Sequence, residues 1–188
     1  MAAARPHVLA VDDGPFEKRQ SAPVPVVGVM MEGADIVECV SIRSFAVDGA
    51  EATGFLGGWI ESQRSYPSLQ AVILGGITLA GLGIVDVPAL AQRLSLPVLV
   101  VNRRDPRRSR LVAALESAGL PERIALVDRS PPAVRVDDGL FLASAGIAPA
   151  QAERLLRACL GKARLPEALR VAHLIAAAVV TGESGGRV

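Results

Sequence analysis

The hydrophobic pattern of the chain changes period near residue 50. Before that point the apolar positions come in short, β-branched runs. Residues 7–11 form one such run, stopped by Asp12-Asp13-Gly14-Pro15, which predicts a strand followed by a turn. Residues 24–31 form a second, Gly33-Ala34-Asp35 supplies a turn, and residues 36–47 read as a third strand. The short connection between the last two predicts an antiparallel hairpin. Beyond residue 50 the spacing turns helical. Phe55, Leu56, Trp59 and Ile60 share one face of a helix over 52–64, which Pro67 closes.

Strands and helices then alternate. Residues 71–74 and 97–101 are continuous apolar strands, with a helix over 87–94 between them. Asp105-Pro106 has the form of an N-cap with proline at the first helical position, predicting a helix to about residue 118. Residues 123–127 and 140–143 read as short strands, and residues 149–160 and 166–180 as two final helices. Antiparallel strands first and βα units after them predict an α/β fold with one mixed sheet flanked by helices. That is the ribonuclease H-like order, although pattern alone leaves other α/β folds open. No linker or repeat interrupts the 188 residues, so a single domain over 1–188 is expected.

Composition narrows the picture. The chain is 51% hydrophobic but only 3% aromatic, so its core must be aliphatic. A formal net charge of +1 excludes a globally basic nucleic-acid coat but not a local basic patch. All the basic residues except Lys18 and Lys162 are arginines, which suits planar anion contacts but is more simply explained by GC-rich coding. Cys39 and Cys159 lie in apolar patterns and are expected in the core. With only His7 and His173 as imidazoles, a zinc site is not expected. No apolar stretch is long enough to span a bilayer and no secretory pattern precedes Asp12, so a cytoplasmic protein with no membrane partner is expected.

Three groups of residues can carry chemistry. Asp12 and Asp13 end the first strand, where site residues gather in mixed sheets, and neighbouring strand residues point to opposite faces. The plain alternative is a solvated turn. Asp48 or Glu51 offers a second carboxylate; two hard oxygen ligands with water and substrate phosphate suit Mg²⁺, whereas helix capping explains both residues without function. Arg103, Arg104, Arg107, Arg108 and Arg110 crowd a strand-to-helix junction, which suits phosphate or simply reaches into solvent. Arg170 and His173 share a helix face three residues apart, and a lone histidine there is ordinarily a packing residue.

Several stretches together carry a resemblance. Val8-Leu9-Ala10-Val11-Asp12-Asp13-Gly14-Pro15-Phe16, Val47-Asp48-Gly49-Ala50-Glu51-Ala52-Thr53 and Arg170-Val171-Ala172-His173-Leu174-Ile175-Ala176-Ala177 resemble an uncharacterised, mainly archaeal family, domain-of-unknown-function family 99. The stretch Gly182-Glu183-Ser184-Gly185-Gly186-Arg187 also fits. That family is similar to endonuclease V, a ribonuclease H-like nuclease that cuts DNA or RNA near deaminated adenine with Mg²⁺. The resemblance implies catalytic roles for Asp12, Asp48 and His173, with Asp12 and Asp48 holding Mg²⁺ or Mn²⁺. Arg103 falls on endonuclease V's lysine after the fifth strand; with Arg104 and Arg170 it is expected to meet substrate phosphate.

This chain departs from the pattern at Gly75-Gly76, where endonuclease V closes its fourth strand with Asp-Gly. The aromatic-proline wedge used to recognise the damaged base is also missing. The resemblance therefore implies a metal-dependent nuclease, or a nucleic-acid-binding descendant whose metal site is weakened by Gly75 in place of an acidic ligand. The alternative is a non-enzymatic module that binds nucleic acid or a protein partner on the same fold.

Overall fold

A computed structural model describes residues 5–17, 22–137 and 139–185. The Gly186-Arg187 end of the resemblance lies outside the described residues. The first strand, β1 (His7–Asp13), runs two residues further than its apolar core and takes in both aspartates. β2 (Val24–Glu32) and β3 (Ile36–Phe45) form the expected antiparallel hairpin, with a bulge opposite Met30 and Met31. Helix α1 (Ala52–Glu61) follows, then β4 (Ala71–Leu74). A two-stranded hairpin, β5 (Thr78–Leu79) and β6 (Gly83–Ile84), was not legible in the apolar pattern because each strand has only two residues. After it come α2 (Val87–Leu94), β7 (Val98–Asn102), α3 (Arg108–Ser117), α4 (Ile124–Arg129), β8 (Val134–Asp137), β9 (Leu140–Ala145), α5 (Pro149–Ala158) and α6 (Glu167–Thr181).

The seven-stranded sheet has the order β3-β2-β1-β4-β7-β9-β8. β1, β4 and β7 are parallel at its centre, and the outer strands are antiparallel to their neighbours. Val11 lies beside Leu74 and Leu74 beside Val100, so the three parallel strands finish at one edge. Alternation divides the aliphatic core between two faces. Leu9, Val11, Val72, Leu74, Val98 and Val100 pack with α1 and α2. Val8, Ala10, Ala71, Ile73, Leu99 and Val101 pack with α5 and α6.

Two expectations need correction. The chain is not helical at Asp105 and Pro106, and α3 begins only at Arg108, with Arg107 at its N-cap (φ −72°, ψ 92°). A first turn crowded with arginines opposes the helix dipole, and Leu115 is the sole buried residue of α3, so little packing compensates. Residues 123–127 are not a strand. Pro121–Arg123 is a 3₁₀ turn leading into α4, which sets Ile124 and Val127 one helical turn apart against Ile84 and Leu115. A five-residue apolar run does not distinguish the two states. Cys159 is fully buried, whereas Cys39 on the edge strand is only half-buried.

Candidate functional site

The two aspartates that end β1 part company at the sheet plane. Asp12 continues the series Val8, Ala10 onto the α6 face; Asp13 continues Leu9, Val11 onto the α1 face. On the α6 face, His173 Nδ1 lies 2.8 Å from Asp12 Oδ2. With the carboxylate ionised and the imidazole neutral, Nδ1–H donates and Nε2 is left as the ring's acceptor. The imidazole is half exposed while the carboxylate is mostly covered, at 50% and 23% side-chain exposure. Burial raises the pKa of Asp12, and the hydrogen bond and charge of His173 pull it back.

On the other face, Asp13 Oδ2 accepts the Ala80 N–H at 3.1 Å. Burial, followed by the charge of Asp12, pushes the Asp13 carboxyl up to about 6. Both aspartates line a cavity of about 130 Å³ at the strand ends, with Gly75, Gly76 and Thr78. That volume suits a few waters or a partly hydrated cation.

Asp12 and His173 also line an open cleft of about 600 Å³ with Gly75, Asn102, Arg103, Arg104, Leu165 and Leu169. Arg103 and Arg104 follow β7, and the parallel alignment of β1, β4 and β7 brings them to the same edge as Asp12. Arg103 has no ion-pair partner among the described residues, and the same is true of Arg104. Arg170, also on α6, is instead held by the Glu167 carboxylate and faces a neighbouring basin that Arg103 shares.

Asp48 and Glu51 do not line the cleft or the small cavity. Asp48 has a left-handed backbone (φ 53°), and its Oδ1 accepts the Leu82 N–H at 2.7 Å. Its own N–H donates to the Ala80 carbonyl at 2.9 Å. Glu51 stands at the N-cap of α1 with no side-chain capping bond. The structure thus brings Asp12, His173, Arg103, Arg104 and Gly75 together, and spends Asp48 on the β5–β6 turn.

Sequence reasoning missed Arg123. Its buried guanidinium donates to the carbonyls of Asp48 and Leu82, each at 2.7 Å, and so ties the loop after β3 to the β5–β6 hairpin. Its only sequence mark was an arginine in an otherwise apolar run. Asp13 was named, but its use in holding Ala80 was not.

Gly75 sits where a side chain would enter the site. A Cβ there would lie 3.8 Å from Asp12 Oδ1 and 3.6 Å from Leu169, which is ordinary contact, and Gly75 is not among the glycines of positive φ. Among the described residues, no group of three or more His, Cys, Asp or Glu side chains converges to hold a metal ion. Asp12 and Asp13 supply hard oxygen donors of the kind a divalent cation takes, and both residues line the small cavity.

A family model described as endonuclease dU matches residues 4–180. The chain belongs to the endonuclease dU family. Curated relatives are mainly archaeal. A UPF0215 protein of Methanothermobacter thermautotrophicus is 33% identical over 95% of this chain and 90% of its own length. One from Thermococcus gammatolerans is 37% identical over 94% and 93%, and one from Deinococcus radiodurans 38% identical over 96% and 92%.

A solved protein of unknown function from Archaeoglobus fulgidus superposes with a TM-score of 0.87 at 30% identity, covering 95% of this chain and all of that one. Ciona intestinalis endonuclease V, solved with an inosine-containing DNA, gives a TM-score of 0.57 at 10% identity over 91% of this chain and 84% of that one. Marinitoga piezophila Argonaute, solved with guide RNA and target DNA, gives 0.55 at 9% identity over 93% and 30%. At such identities the last two establish the fold alone. This endonuclease dU family member therefore has the expected ribonuclease H-like fold, and no helix among the described residues is long and apolar enough to cross a membrane.

Proposed function

We propose that this protein binds nucleic acid across the Asp12 cleft and cleaves a phosphodiester there with a weakly held Mg²⁺ or Mn²⁺. The observation that carries the reading is the Asp12–His173 pair, half open to a cleft whose rim holds Arg103 and Arg104. A paired carboxylate and imidazole at the carboxyl edge of parallel strands has no packing role to explain it. The family's description points to a strand containing deoxyuridine as the substrate.

The residues divide the work. Arg103 and Arg104 bind and orient the phosphate. Asp12 holds His173 in one tautomer, so that Nε2 can take a proton from water or return one to a leaving oxygen. Asp12 and Asp13 are the side chains that would hold the cation, which when bound would offset charge developing on the phosphate. Asp48 belongs to this proposal only through the loop that supports Asp13. With glycine at position 75 the ligand set is one carboxylate short of tight binding, and substrate oxygens and water complete it.

The test is an end-labelled oligonucleotide carrying deoxyuridine, inosine or no lesion, incubated with Mn²⁺ and with wild-type or Asp12→Asn protein. Cleavage by wild type that Asp12→Asn loses supports the reading. Salt-dependent binding with no cleavage at any Mn²⁺ concentration leaves a nucleic-acid-binding module on the same fold, a reading favoured by the missing acid at Gly75. No binding at all defeats both.

A further inference from the structure

Beside the Asp12 cleft lies a larger basin of about 1230 Å³ that the proposed chemistry does not use. It is built from Ala34 and Asp35 between β2 and β3, Gly139 before β9, residues 161–164 between α5 and α6, Glu167 and Arg170 on α6, and Arg103 after β7. Among the described residues its charged lining is Arg103, Lys162, Arg164 and Arg170 against Asp35 and Glu167. Both carboxylates are already engaged, Asp35 by Arg5 at 3.3 Å and Glu167 by Arg170. Lys162 and Arg103 have no ion-pair partner among the described residues, so their charge faces the basin unneutralised. The remaining lining residues, Ala34, Gly139, Gly161 and Ala163, leave the floor small and largely backbone.

Three features decide what this basin accepts. Its volume exceeds the ~300–1,000 Å³ of an ordinary small-ligand pocket. It offers no aromatic surface on which a base could stack, so it is not a base-reading pocket. Arg103 lines both the basin and the Asp12 cleft, which makes them adjoining stretches of one surface.

We infer that the basin is a second anion site that takes the sugar-phosphate backbone of the bound strand as it runs on from the Asp12 cleft. The inference rests on the nucleic-acid reading of the cleft and extends it. Lys162 and Arg164, on the α5–α6 connection, are its outlying contacts; Arg103 joins it to the cleft. Contacts of this kind position a strand without reading sequence. They make affinity grow with oligonucleotide length until the basin is filled.

The experiment measures fluorescence anisotropy of labelled single strands of increasing length, over a range of salt, in wild type and in Lys162→Gln/Arg164→Gln. Both side chains are exposed, and equal thermal midpoints check that the variant is folded. Lys162→Glu alone serves as a second variant if the double substitution lowers the midpoint. The expected result is unchanged affinity for the shortest strands and about tenfold weaker binding of long ones. The slope of log affinity against log salt should flatten by at least about 0.7, the share of one single-strand phosphate contact, through Lys162. Long strands bound equally by wild type and both variants, with one slope, overturn the basin while the cleft reading stands. Wild type that binds no oligonucleotide overturns the cleft reading, and the basin with it.

Discussion

Asp12 and Asp13 are neighbours in sequence and belong to two different kinds of place. Around Asp13 a set of polar groups holds the loops together: Ala80 N–H on its carboxylate, Asp48 on Ala80 and Leu82, Arg123 on the Asp48 and Leu82 carbonyls. That side is a closed knot which fixes the β5–β6 hairpin against the sheet. Around Asp12 the charges are in surplus: an exposed imidazole, Arg103, Arg104 and an open cleft. The fold does not need them, and that excess marks the side on which chemistry is to be sought.

The sharpest way to break this contrast is to remove one acid from each side. Asp12→Asn should lower cleavage of the labelled strand by about a hundredfold or more, as loss of a catalytic proton-handling pair does. Its thermal midpoint should barely move. Asp48→Ala should do the reverse, lowering the midpoint by several degrees through the lost Leu82 bond while Mn²⁺ affinity per folded molecule holds. If Asp48→Ala abolishes Mn²⁺ binding in a folded protein, Asp48 does more than support the loop beside Asp13.

Arg123→Met probes the knot directly. It keeps much of the side-chain volume but removes the donor from two part-buried carbonyls, each bonded at 2.7 Å. Loss of two such hydrogen bonds costs about 1–3 kcal/mol. Chemical denaturation of the variant measures this loss, and a change under 0.5 kcal/mol would show that water replaces the guanidinium.

The same contrast governs what the sequence disclosed. The hairpin, the βα alternation and the two final helices were legible because long apolar runs carry their own period. The pairing of Asp12 with His173 spans 161 residues and came only through the family resemblance. Asp48 misled because an Asp-Gly after a strand looks alike whether the carboxylate binds a cation or a neighbouring N–H. Arg123 was invisible for the converse reason: its partners are backbone carbonyls, which have no letter in the sequence. The helix after β7 was placed too early because Asp105-Pro106 fits a cap locally, while nothing local reports that the following turn lacks a packing surface.

Gly75→Asp sharpens the open side. The glycine has room for a side chain, with Leu169 and Asp12 at ordinary contact distance. Charge count and ligand number set affinity for hard cations, so the variant should bind Mn²⁺ about tenfold more tightly by calorimetry. In EDTA it should be less stable than wild type, because a third carboxylate then joins Asp12 and Asp13 without a cation. Equal Mn²⁺ affinity in a folded variant would falsify the placing of Gly75 at the missing ligand.

The smallest expected effect concerns the pH dependence of Asp13. Its carboxyl holds a proton up to about 6 in the folded chain, against an ordinary value of 3.8. Burial is the main cause and the charge of Asp12 the second, with the Ala80 N–H opposing both. Between those two pH values the folded state carries more protons than the unfolded chain. Its stability therefore falls as pH rises from about 4 to about 6, and the contribution is complete only below 3.8. Asp13→Asn keeps an oxygen for the Ala80 N–H and cannot titrate, so it should lack this component. Subtracting the variant's midpoint from that of wild type removes the other carboxylates, including Glu61, whose pairing with Arg93 works in the opposite direction. In EDTA the difference should be flat below pH 4 and drop by a few degrees by pH 7. Mn²⁺ should restore part of the drop at pH 7 and none at pH 4, where protons occupy the carboxylates. A difference that stays constant from pH 4 to 7 means that Asp13 is as well solvated as any turn residue. The closed side of the site would then be open to water, and the contrast between the two aspartates would reduce to His173 alone.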